Sequence, residues 1–470
     1  MMGFKRYIWV TAMILFLGSY PIASFGANPS MPVFQDSLRV MTYNILNFGS
    51  TCQGQPIPML IYLKTIVEAA NPDVVGLVKM ESIKTSQNDM HGVLPYGFAD
   101  SIVKAGFDAA YPNRYDHSTY SDAAGSGNNT LLIFDKNKLG FVKMSTLLVD
   151  IEDFNLFQLY YKDPNLGVTH DTTFLYFVLN HTSSGTDATD RDRQDTLIRN
   201  ALKKRFLHLP NLINMGDFNL HNSSEIGYSG YVAYADSNFK FYDAPFLPDK
   251  KLNYPLSWDQ NPAVCSNFLT TSTRASSSLP NSCGTSGGAK SWYDHILMSP
   301  WILHNENYVG YVPNSYHVFG NDGKRIGISI NDSTSNGKNG VVSSTVANAL
   351  WQFSNKYPVM LTLGVGFNST GTSLADPEIH TGISPEPSLQ QVIKVTSVFE
   401  QRVHCFFPPM LVGEIIEASL FDLSGRCISN DSFTLNDTFK QIETGNIAPG
   451  IYLLHFKGNQ INCSYKIIKE

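Results

Sequence analysis

The sequence predicts a layered α/β domain followed by a smaller all-β module. Between residues 33 and 366, short apolar segments typical of strands alternate with longer segments that have the pattern of helices. From residue 392 onward, short alternating strands are separated by turns at Ser424-Gly425 and Pro449-Gly450. The alternation in the first part favours helices packed on sheets, with functional groups at strand ends and in the loops that follow them.

The composition is that of a globular protein with more than one folded unit. Of the 470 residues, 43% are hydrophobic and 16% are charged, and the formal net charge is -6. A chain of this length exceeds what one hydrophobic core usually supports. The acidic balance argues against tight, non-specific binding of nucleic acid through phosphate neutralisation, but it is compatible with a nuclease that has a small metal-centred cleft.

The N-terminus has the layout of a cleavable secretory signal. Lys5 and Arg6 precede an apolar run from Tyr7 to about Leu17, and small residues follow up to Gly26. This run is too short to span a bilayer, so residues 1–26 are interpreted as a signal peptide. No other segment approaches a membrane-spanning length. The mature protein is therefore expected outside the cytoplasm and without a transmembrane segment.

Two strand–helix–strand units can be recognised within residues 33–366. In the first, LRVMTYNIL predicts a strand, YLKTIVEAAN a helix and DVVGLVKM a second strand. In the second, TTFLYFVLNHTS predicts a strand, DRDRQDTLIRNALKKRF a helix and NLINMGDFNL a further strand. The start of the second helix is interpreted as a solvated first turn with favourably placed acidic residues. The alternative is a substrate contact by Arg191 or Arg193.

Residues 367–391 are poor in hydrophobic side chains and rich in Gly and Pro, which predicts a linker. The all-β module then occupies residues 392–470. Among the six cysteines, Cys265 and Cys283 bracket a polar loop and could close it as a disulfide, worth about 3 kcal/mol. The connectivity of the cysteines stays open.

Seven short strings occur in one order along the first domain: TYNILNFG, DVVGLVKMES, NHTSSG, GDFN, YDHILMS, FGNDGKRI and ANALWQFSNKYPVML. Together they resemble the endonuclease/exonuclease/phosphatase superfamily, in particular its secreted bacterial nuclease-like branch. The resemblance implies a four-layered α/β sandwich, in which two facing, mostly antiparallel sheets are flanked by helices. It also implies magnesium-dependent hydrolysis of phosphodiesters or phosphomonoesters, which needs a metal, an activated water and oxyanion donors.

Five positions match the functional residues of this superfamily. The resemblance places Asn44 near the metal and the phosphate, and it makes His181 a phosphate-binding histidine. Asp217 and Asn219 match the pair that orients the attacking water and binds the scissile phosphate or the metal. Asp294 matches the aspartate that holds the ring of the catalytic histidine. The implied catalytic residues are therefore His181, Asp217, Asn219 and Asp294, and the implied metal ligands are Asn44 and Asp217.

Three positions depart from the pattern of the superfamily. Lys79 stands where the superfamily has the glutamate that is the principal magnesium ligand, and Asn355 and Lys356 replace an aspartate and the catalytic histidine. Two unit charges about 4 Å apart interact by about 4 kcal/mol at an effective dielectric constant of about 20, so an ammonium in place of a carboxylate strongly disfavours a divalent ion. Loss of a positioned acid–base histidine costs about 10²- to 10⁴-fold in rate. Weak or absent magnesium binding and impaired hydrolysis are therefore expected.

Neighbouring residues do not restore these groups. Strand alternation places Glu81 on the same face as Lys79 but about 6.5 Å further along, so Glu81 can become a metal ligand only if the strand slips by two residues. His295 follows Asp294 directly and is expected to point to the opposite face of its strand.

The two lysines instead suggest a metal-free pocket. Such a pocket is either neutralised internally, with ammonium groups beside Asp217 and Asp294, or able to hold an anion such as phosphate through His181, Asn44 and the lysines. The sequence thus predicts a secreted or surface-attached protein of this fold with impaired phosphodiesterase activity. Two alternatives stay open: an active extracellular nuclease or phosphatase with a rewired metal site, and a non-catalytic surface binding module. A phosphate-containing ligand or nucleic acid is the expected partner of the cleft.

The C-terminal module has a resemblance of its own. SLFDLSGRCISN, TGNIAPGIYLLHFKGN and the terminal YKIIKE resemble the sorting domain of proteins exported by the type IX secretion system of Bacteroidetes-type bacteria. The resemblance implies the type IX machinery as a partner. It also implies a route through the periplasm to the outer cell surface or the medium.

Overall fold

The structure of the protein is a computed structural model. It describes residues 34–50, 56–81, 93–94, 98–169, 171–250, 252–276, 284–367, 377–379, 393–395, 398–399, 401–407, 411–458 and 461–469. The predicted signal peptide and most of the predicted linker lie outside the described residues. Cys283 also lies outside them, but Cys265 is a free, buried thiol, so the predicted Cys265–Cys283 disulfide is not present in this structure.

The N-terminal domain consists of strands connected by helices and short turns. Its strands are β1 (Phe34–Phe48), β2 (Val74–Met80), β3 (Val93–Leu94), β4 (Tyr115–His117), β5 (Tyr120–Ser121), β6 (Asn129–Asp135), β7 (Leu139–Val149), β8 (Asp153–Tyr161), β9 (Phe174–His181), β10 (Leu212–Asp217), β11 (Tyr242–Asp243), β12 (Asp294–Met298), β13 (Val309–Tyr311), β14 (His317–Val318) and β15 (Val359–Phe367). Its helices are α1 (Pro56–Ala70), α2 (Phe98–Ser101), α3 (Leu166–Thr169), α4 (Thr189–Arg205), α5 (Ile226–Val232), α6 (Pro300–His304) and α7 (Ser344–Phe353). One π-helical turn (Ile102–Phe107) and short 3₁₀ turns (Ser237–Phe239, Ala244–Phe246, Ser266–Phe268) complete the domain.

Two sheets form the centre of this domain. The first has the strand order β13-β15-β1-β2-β6-β4, with β14 also paired to β15, and the second has the order β11-β12-β10-β9-β8-β7. Pairing within both sheets is antiparallel except for one central pair in each, β1 with β2 and β9 with β10. A parallel pair needs a long crossover connection, and α1 and α4 supply it. Each sheet is therefore built around one of the two strand–helix–strand units that the sequence predicted.

The two sheets pack face to face, and helices cover their outer faces. A Cβ atom at Gly76 of β2 would lie 2.4 Å from the side chain of Leu179 on β9, so glycine makes room for the opposite sheet. Outside the first sheet, the ring of Phe353 in α7 lies 5.8 Å from that of Tyr43 in β1. Outside the second sheet, the ring of Phe206, which follows α4, lies 5.3 Å from that of Tyr176 in β9. The order helix, sheet, sheet, helix confirms the predicted four-layered α/β sandwich.

Strands β1 and β2 bulge together near their carboxyl ends. Their register shifts between the pairs Asn44↔Val78 and Phe48↔Met80. Lys79 adopts a left-handed backbone conformation with φ of 64°, as residues in bulges often do. The regular alternation on which the predicted placement of Glu81 relative to Lys79 depended is interrupted at this bulge.

The C-terminal domain consists of strands only within its described residues. These are β16 (Lys394–Val395), β17 (Val398–Phe399), β18 (Arg402–Phe406), β19 (Ile415–Asp422), β20 (Cys427–Thr434), β21 (Phe439–Glu443), β22 (Gly450–Lys457) and β23 (Asn462–Lys469). They form two sheets with the orders β16-β18-β21 and β17-β23-β22-β19-β20. Alternate residues of β22, Tyr452, Leu454 and Phe456, enter a hydrophobic cluster separate from that of the N-terminal domain. The predicted all-β module is confirmed.

Replacing Gly216 by alanine should strongly destabilise the N-terminal domain. Gly216 lies in the GDFN string with φ of 145°, and a Cβ there would lie 1.9 Å from the backbone oxygen of Asn180 on β9. Backbone cannot move aside as a flexible side chain can, so we expect Gly216→Ala to cost at least about 3 kcal/mol. Thermal unfolding followed by calorimetry checks this. Gly167→Ala is the control: no neighbour lies within 4 Å of its added Cβ, and its stability should change by less than about 0.5 kcal/mol.

Candidate functional site

The residues predicted for the site converge on one end of the sandwich. Both parallel pairs, β1 with β2 and β9 with β10, direct their carboxyl ends to this edge. Strands β12 and β15 run antiparallel to β10 and β1, so they begin at the same edge. The side chains carried by these strand ends are Asn44, Lys79, His181, Asp217 and Asp294, and Lys356 lies three residues before β15.

Two buried aspartates lie directly opposite each other on adjacent strands. Asp217 of β10 pairs in register with Asp294 of β12, and each residue is 1% exposed. Like charges in this arrangement are destabilising. The ammonium of Lys356, itself 5% exposed, lies 2.8 Å from Asp217 Oδ2 and 3.8 Å from Asp294 Oδ2. It also lies 4.6 Å from the ring centroid of Tyr293, which adds a cation–π contact.

The pKa values of this cluster shift in different directions. Burial alone would raise the pKa of Asp217, but the charges of Lys356 and His181 and the hydrogen bonds from Lys356 and Asn44 hold it well below its usual range. Burial, and then the charge of Asp217, raises the pKa of Asp294 well above its ordinary value. Burial lowers the pKa of Lys356, yet the two aspartates more than offset this and the net shift is upward. Asp217 and Lys356 therefore form the ion pair, and Asp294 is the carboxyl group that takes up a proton more readily.

Both carboxylate oxygens of Asp217 accept hydrogen bonds from the protein. Asn44 Nδ2 donates to Asp217 Oδ2 at 2.8 Å, alongside the Lys356 ammonium. The backbone N–H of Asn219 donates to Asp217 Oδ1 at 3.1 Å, and the Asn219 side-chain amide donates to the Thr182 carbonyl at 2.8 Å. The amide groups of Asn44 and Asn219 thus hold the strand ends together.

Lys79 lies at the same edge but is not paired. Its side chain is half-buried and makes no hydrogen bond or ion pair with the part of the chain that the structure describes. Burial lowers the pKa of Lys79, the charges of Asp217 and Glu152 oppose this shift, and Lys356 adds to it. The two lysines thus differ: Lys356 is paired within the protein, whereas Lys79 has no partner among the described residues.

His181 has a partner that the sequence did not reveal. Its Nδ1 hydrogen-bonds the carboxylate of Glu152, which is buried just before β8. The other ring nitrogen, Nε2, has no hydrogen-bond partner among the described residues. Glu152 lies in the string VDIEDFN, where its acidic neighbours are typical of a solvent-exposed turn. The sequence therefore gave no indication that Glu152 contacts His181. Tyr293, by contrast, directly precedes Asp294 in the YDHILMS string, so its sequence position could have identified it as a residue of the site.

The remaining candidates lie around this cluster. The Asn355 side-chain amide donates to Thr285 Oγ1 at 2.8 Å. His295 is buried on the other face of β12, with Nδ1 3.0 Å from Asp243, as strand alternation predicted. The Glu81 carboxylate lies against Gly127, where an added Cβ would meet Glu81 Oε1 at 2.5 Å. Within the described ranges, no group of three or more His, Cys, Asp or Glu side chains is arranged to hold a metal ion.

The start of α4 is solvated at Asp190 and Arg193, whose side chains are 67% and 46% exposed, but not at Arg191. Arg191 is 0% exposed. Its Nε lies 2.8 Å from Glu225 Oε2, and its Nη1 donates to the carbonyls of Gly185 and Asp187 at 2.7 and 2.8 Å. Arg191 thus fastens the loop that follows His181 to the start of α5. The interpretation was wrong for Arg191 alone, because its burial depends on contacts with the preceding loop and with Glu225, which helical patterning does not report.

Comparison with known proteins identifies the C-terminal domain. Residues 403–470 match the family model of the secretion system C-terminal sorting domain. The C-terminal domain is a type IX sorting domain. It directs the protein to the cell surface or the medium, as its motifs predicted. None of the helices in the described ranges is long and apolar enough to cross a membrane.

The chain is also similar to solved structures of the endonuclease/exonuclease/phosphatase superfamily. A protein of this superfamily from Beutenbergia cavernae is 14% identical with a TM-score of 0.40, and the match covers 92% of this chain and 99% of that one. A family protein from Bacteroides thetaiotaomicron is 13% identical with a TM-score of 0.42, covering 73% and 100%. A mannosyl-6-phosphatase from the same organism is 14% identical with a TM-score of 0.40, covering 69% and 99%. No curated protein matches the sequence.

Removing the Lys356 ammonium should destabilise the protein in a pH-dependent way. Lys356→Met leaves two buried carboxyl groups without a cation, so we expect a loss of about 3–5 kcal/mol near neutral pH. In the variant the folded-state pKa values of Asp217 and Asp294 lie above the unfolded value of about 3.9. Such groups contribute stability that is present at low pH and is lost as the pH rises. The stability gap to the unmodified protein should therefore widen from pH 4 to pH 8 in urea or thermal unfolding.

The double variant Lys356→Met with Asp217→Asn serves as the control for this prediction. It removes one charge of each sign, so it should recover a large part of the stability at pH 8. A gap that is independent of pH would contradict the assignment of Lys356 as the counter-ion of the two aspartates.

Proposed function

We propose that the N-terminal domain is an exported endonuclease/exonuclease/phosphatase-fold domain that binds a phosphate-bearing ligand without magnesium and is impaired in hydrolysis. The observation that carries this proposal is the position of the Lys356 ammonium, 2.8 Å from Asp217 Oδ2 and 3.8 Å from Asp294 Oδ2. A covalently attached cation thus stands between the two carboxylates of the site.

The groups present do not suit a divalent cation. Magnesium is held by hard oxygen ligands, usually one or two carboxylates with water. Here the two oxygens of Asp217 accept hydrogen bonds from Lys356, Asn44 and Asn219. A divalent ion at Asp217 would have to displace the Lys356 ammonium, and at the neighbouring strand end it would meet Lys79 where the superfamily supplies a carboxylate.

Acid–base chemistry is also weakened at position 356. A general base must be able to accept a proton near the working pH. The two aspartates raise the pKa of Lys356 above its ordinary value, so its amine is protonated at neutral pH and cannot accept one. Lys356 therefore contributes charge and position but not the proton transfer of the histidine it replaces.

Two groups remain for binding an anion. The Lys79 ammonium has no partner among the described residues, and His181 has Nε2 open while Glu152 holds Nδ1. Charge-assisted hydrogen bonds from such donors suit the oxygens of a phosphate group. These two groups favour a phosphate-bearing ligand over a neutral one.

We expect the exported protein to hydrolyse neither plasmid DNA nor bis-p-nitrophenyl phosphate above background, with or without EDTA. Restoring the superfamily residues with Lys79→Glu, Asn355→Asp and Lys356→His should produce magnesium-dependent turnover at least about 10²-fold above the unmodified protein, because the other strand ends are already in place. The readout is the initial rate at several magnesium concentrations. Robust EDTA-sensitive turnover by the unmodified protein would refute the proposal.

We expect inorganic phosphate and methyl phosphate to bind equally well in the presence of magnesium or of EDTA. Lys79→Met should weaken binding by about 10-fold or more, because one charge-assisted contact is lost. Isothermal titration calorimetry provides the affinities. Lys64→Met is the matched control: Lys64 lies on α1 and pairs with Glu68, so its loss should leave the affinity unchanged. Binding that requires magnesium, or that ignores Lys79, would contradict the proposal.

A rewired hydrolase is the second candidate function. The buried His181–Glu152 pair favours it, since a carboxylate that orients an imidazole is a common acid–base arrangement. EDTA-resistant turnover that is lost in His181→Ala would support this candidate. If the protein neither turns over phosphoesters nor binds phosphate, the third interpretation applies, in which the domain is a surface binding module that does not use this cleft.

A further inference from the structure

Lys79 is a primary amine at the cleft for which the described residues provide no partner. It lies near the end of β2, in the bulge that this strand shares with β1, and its φ is 64°. Its side chain is half-buried and makes no hydrogen bond or ion pair with a described residue. Lysine side chains in proteins are mostly exposed or paired, because loss of water without a counter-ion is costly. The position of Lys79 therefore indicates a use that involves a ligand.

Three charged groups from other elements act on the Lys79 amine, and they are Asp217 of β10, Glu152 before β8 and Lys356 before β15. Burial is the largest effect and lowers the pKa of Lys79; the two carboxylates oppose this shift and Lys356 adds to it. Both carboxylates are committed elsewhere, Asp217 to Lys356 at 2.8 Å and Glu152 to His181. Desolvation and a neighbouring cation are the conditions that activate a lysine as a nucleophile, because they favour its free amine.

Lys356 shows the opposite behaviour within the same cleft. Its side chain is 5% exposed, and its ammonium lies 2.8 Å from Asp217 and 3.8 Å from Asp294. These carboxylates raise the pKa of Lys356 above its ordinary value, so its amine stays protonated and enclosed. Of the two lysines, Lys79 alone combines partial exposure with the lack of a partner. It is therefore the amine of this cleft that can react with a ligand.

A donor for a phosphate group belongs to the same cluster. His181 Nδ1 hydrogen-bonds the carboxylate of Glu152, whose charge acts on Lys79, and His181 Nε2 has no partner among the described residues. An imidazole N–H at Nε2 suits a phosphate oxygen. A ligand held by its phosphate in this way presents the rest of its structure to the neighbouring amine. Such placement within a complex favours attack on an electrophilic carbon of the ligand.

We propose that Lys79 captures a small aldehyde that carries a phosphate group, as an imine, while His181 holds the phosphate; this inference rests on the proposed function. The Lys79 nitrogen attacks the carbonyl carbon and forms a carbinolamine, whose C–O bond then breaks as the C=N bond forms. The nitrogen gives up two protons, which leave with the carbonyl oxygen as one molecule of water. The reaction requires neither an oxidant nor a reductant. Glu152 is the proton acceptor of the cluster, since its Oε2 is buried without a hydrogen-bond partner among the described residues.

Reductive trapping in the full-length exported protein tests this capture. The protein is incubated with pyridoxal 5′-phosphate or glyceraldehyde 3-phosphate, sodium cyanoborohydride reduces the imine to a stable secondary amine, and mass spectrometry of the peptides locates the adduct. We expect Lys79 to carry at least about 10-fold more adduct than Lys356 or Lys64, the latter an α1 residue paired with Glu68. Pyridoxal, which lacks the phosphate, should label Lys79 at least about 10-fold less, and inorganic phosphate should compete with the two phosphorylated probes.

Lys79→Arg is the decisive variant because it keeps the positive charge but removes the amine that forms the imine. It should reduce the total adduct at least about fivefold, whereas the matched variant Lys64→Arg should leave the adduct on Lys79 unchanged. Phosphate affinity, measured by calorimetry, should fall less in Lys79→Arg than in Lys79→Met, since the charge is retained. Thermal unfolding within about 2 °C of the unmodified protein establishes that each variant is folded.

The outcomes distinguish this inference from the proposed function. If phosphate binds but Lys79 carries no more adduct than Lys64, the capture is refuted and the proposed function stands. If pyridoxal labels Lys79 as strongly as its phosphate does and inorganic phosphate gives no protection, both are refuted, because the cleft then does not recognise the phosphate group. An unchanged total adduct in Lys79→Arg would also overturn the capture.

Discussion

Two buried aspartates on neighbouring strands create the constraint on which the site depends. Asp217 and Asp294 face each other across β10 and β12, where two negative charges in a low-dielectric environment repel strongly. Lys356, in the segment just before β15, places a cation between them. Because this cation is covalently attached, its presence does not vary with the concentration of any ion. The arrangement thus places one fixed positive charge between two buried carboxyl groups.

The fold explains why six chain segments can meet at this point. Each sheet is centred on one parallel pair of strands, and parallel pairs direct their carboxyl ends to the same edge. The two sheets are stacked, so the loops after four strand ends and the beginnings of two antiparallel strands share one end of the sandwich. The bulge in β1 and β2 then places Lys79 in a left-handed conformation at this edge. Backbone strain of this kind is concentrated at sites where a side chain must be aimed.

The two lysines of the site illustrate how burial and pairing determine the role of a charge. Lys356 loses solvation, but two carboxylates more than compensate, so its pKa is raised and its charge is satisfied internally. Lys79 loses solvation without an equivalent partner, so its pKa is lowered and its ammonium gains most from an incoming anion. One lysine is thus paired within the protein, whereas the other has no hydrogen-bond or ion-pair partner among the described residues. A sequence comparison treats both as the loss of a functional residue.

The sequence by itself determined the layered α/β class, the all-β C-terminal domain and the identity of most residues at the cleft. These features could be predicted because strand and helix periodicity and short ordered motifs are local properties of the chain. Only the tertiary structure decided which of these residues pair. Glu152 pairs with His181 on the neighbouring strand, Arg191 pairs with Glu225 at the start of α5, and Glu378 returns the linker to the end of α4. In each case the partners are far apart in sequence. Charge pairing and burial depend on distances between side chains from different elements, and no local pattern along the chain records those distances.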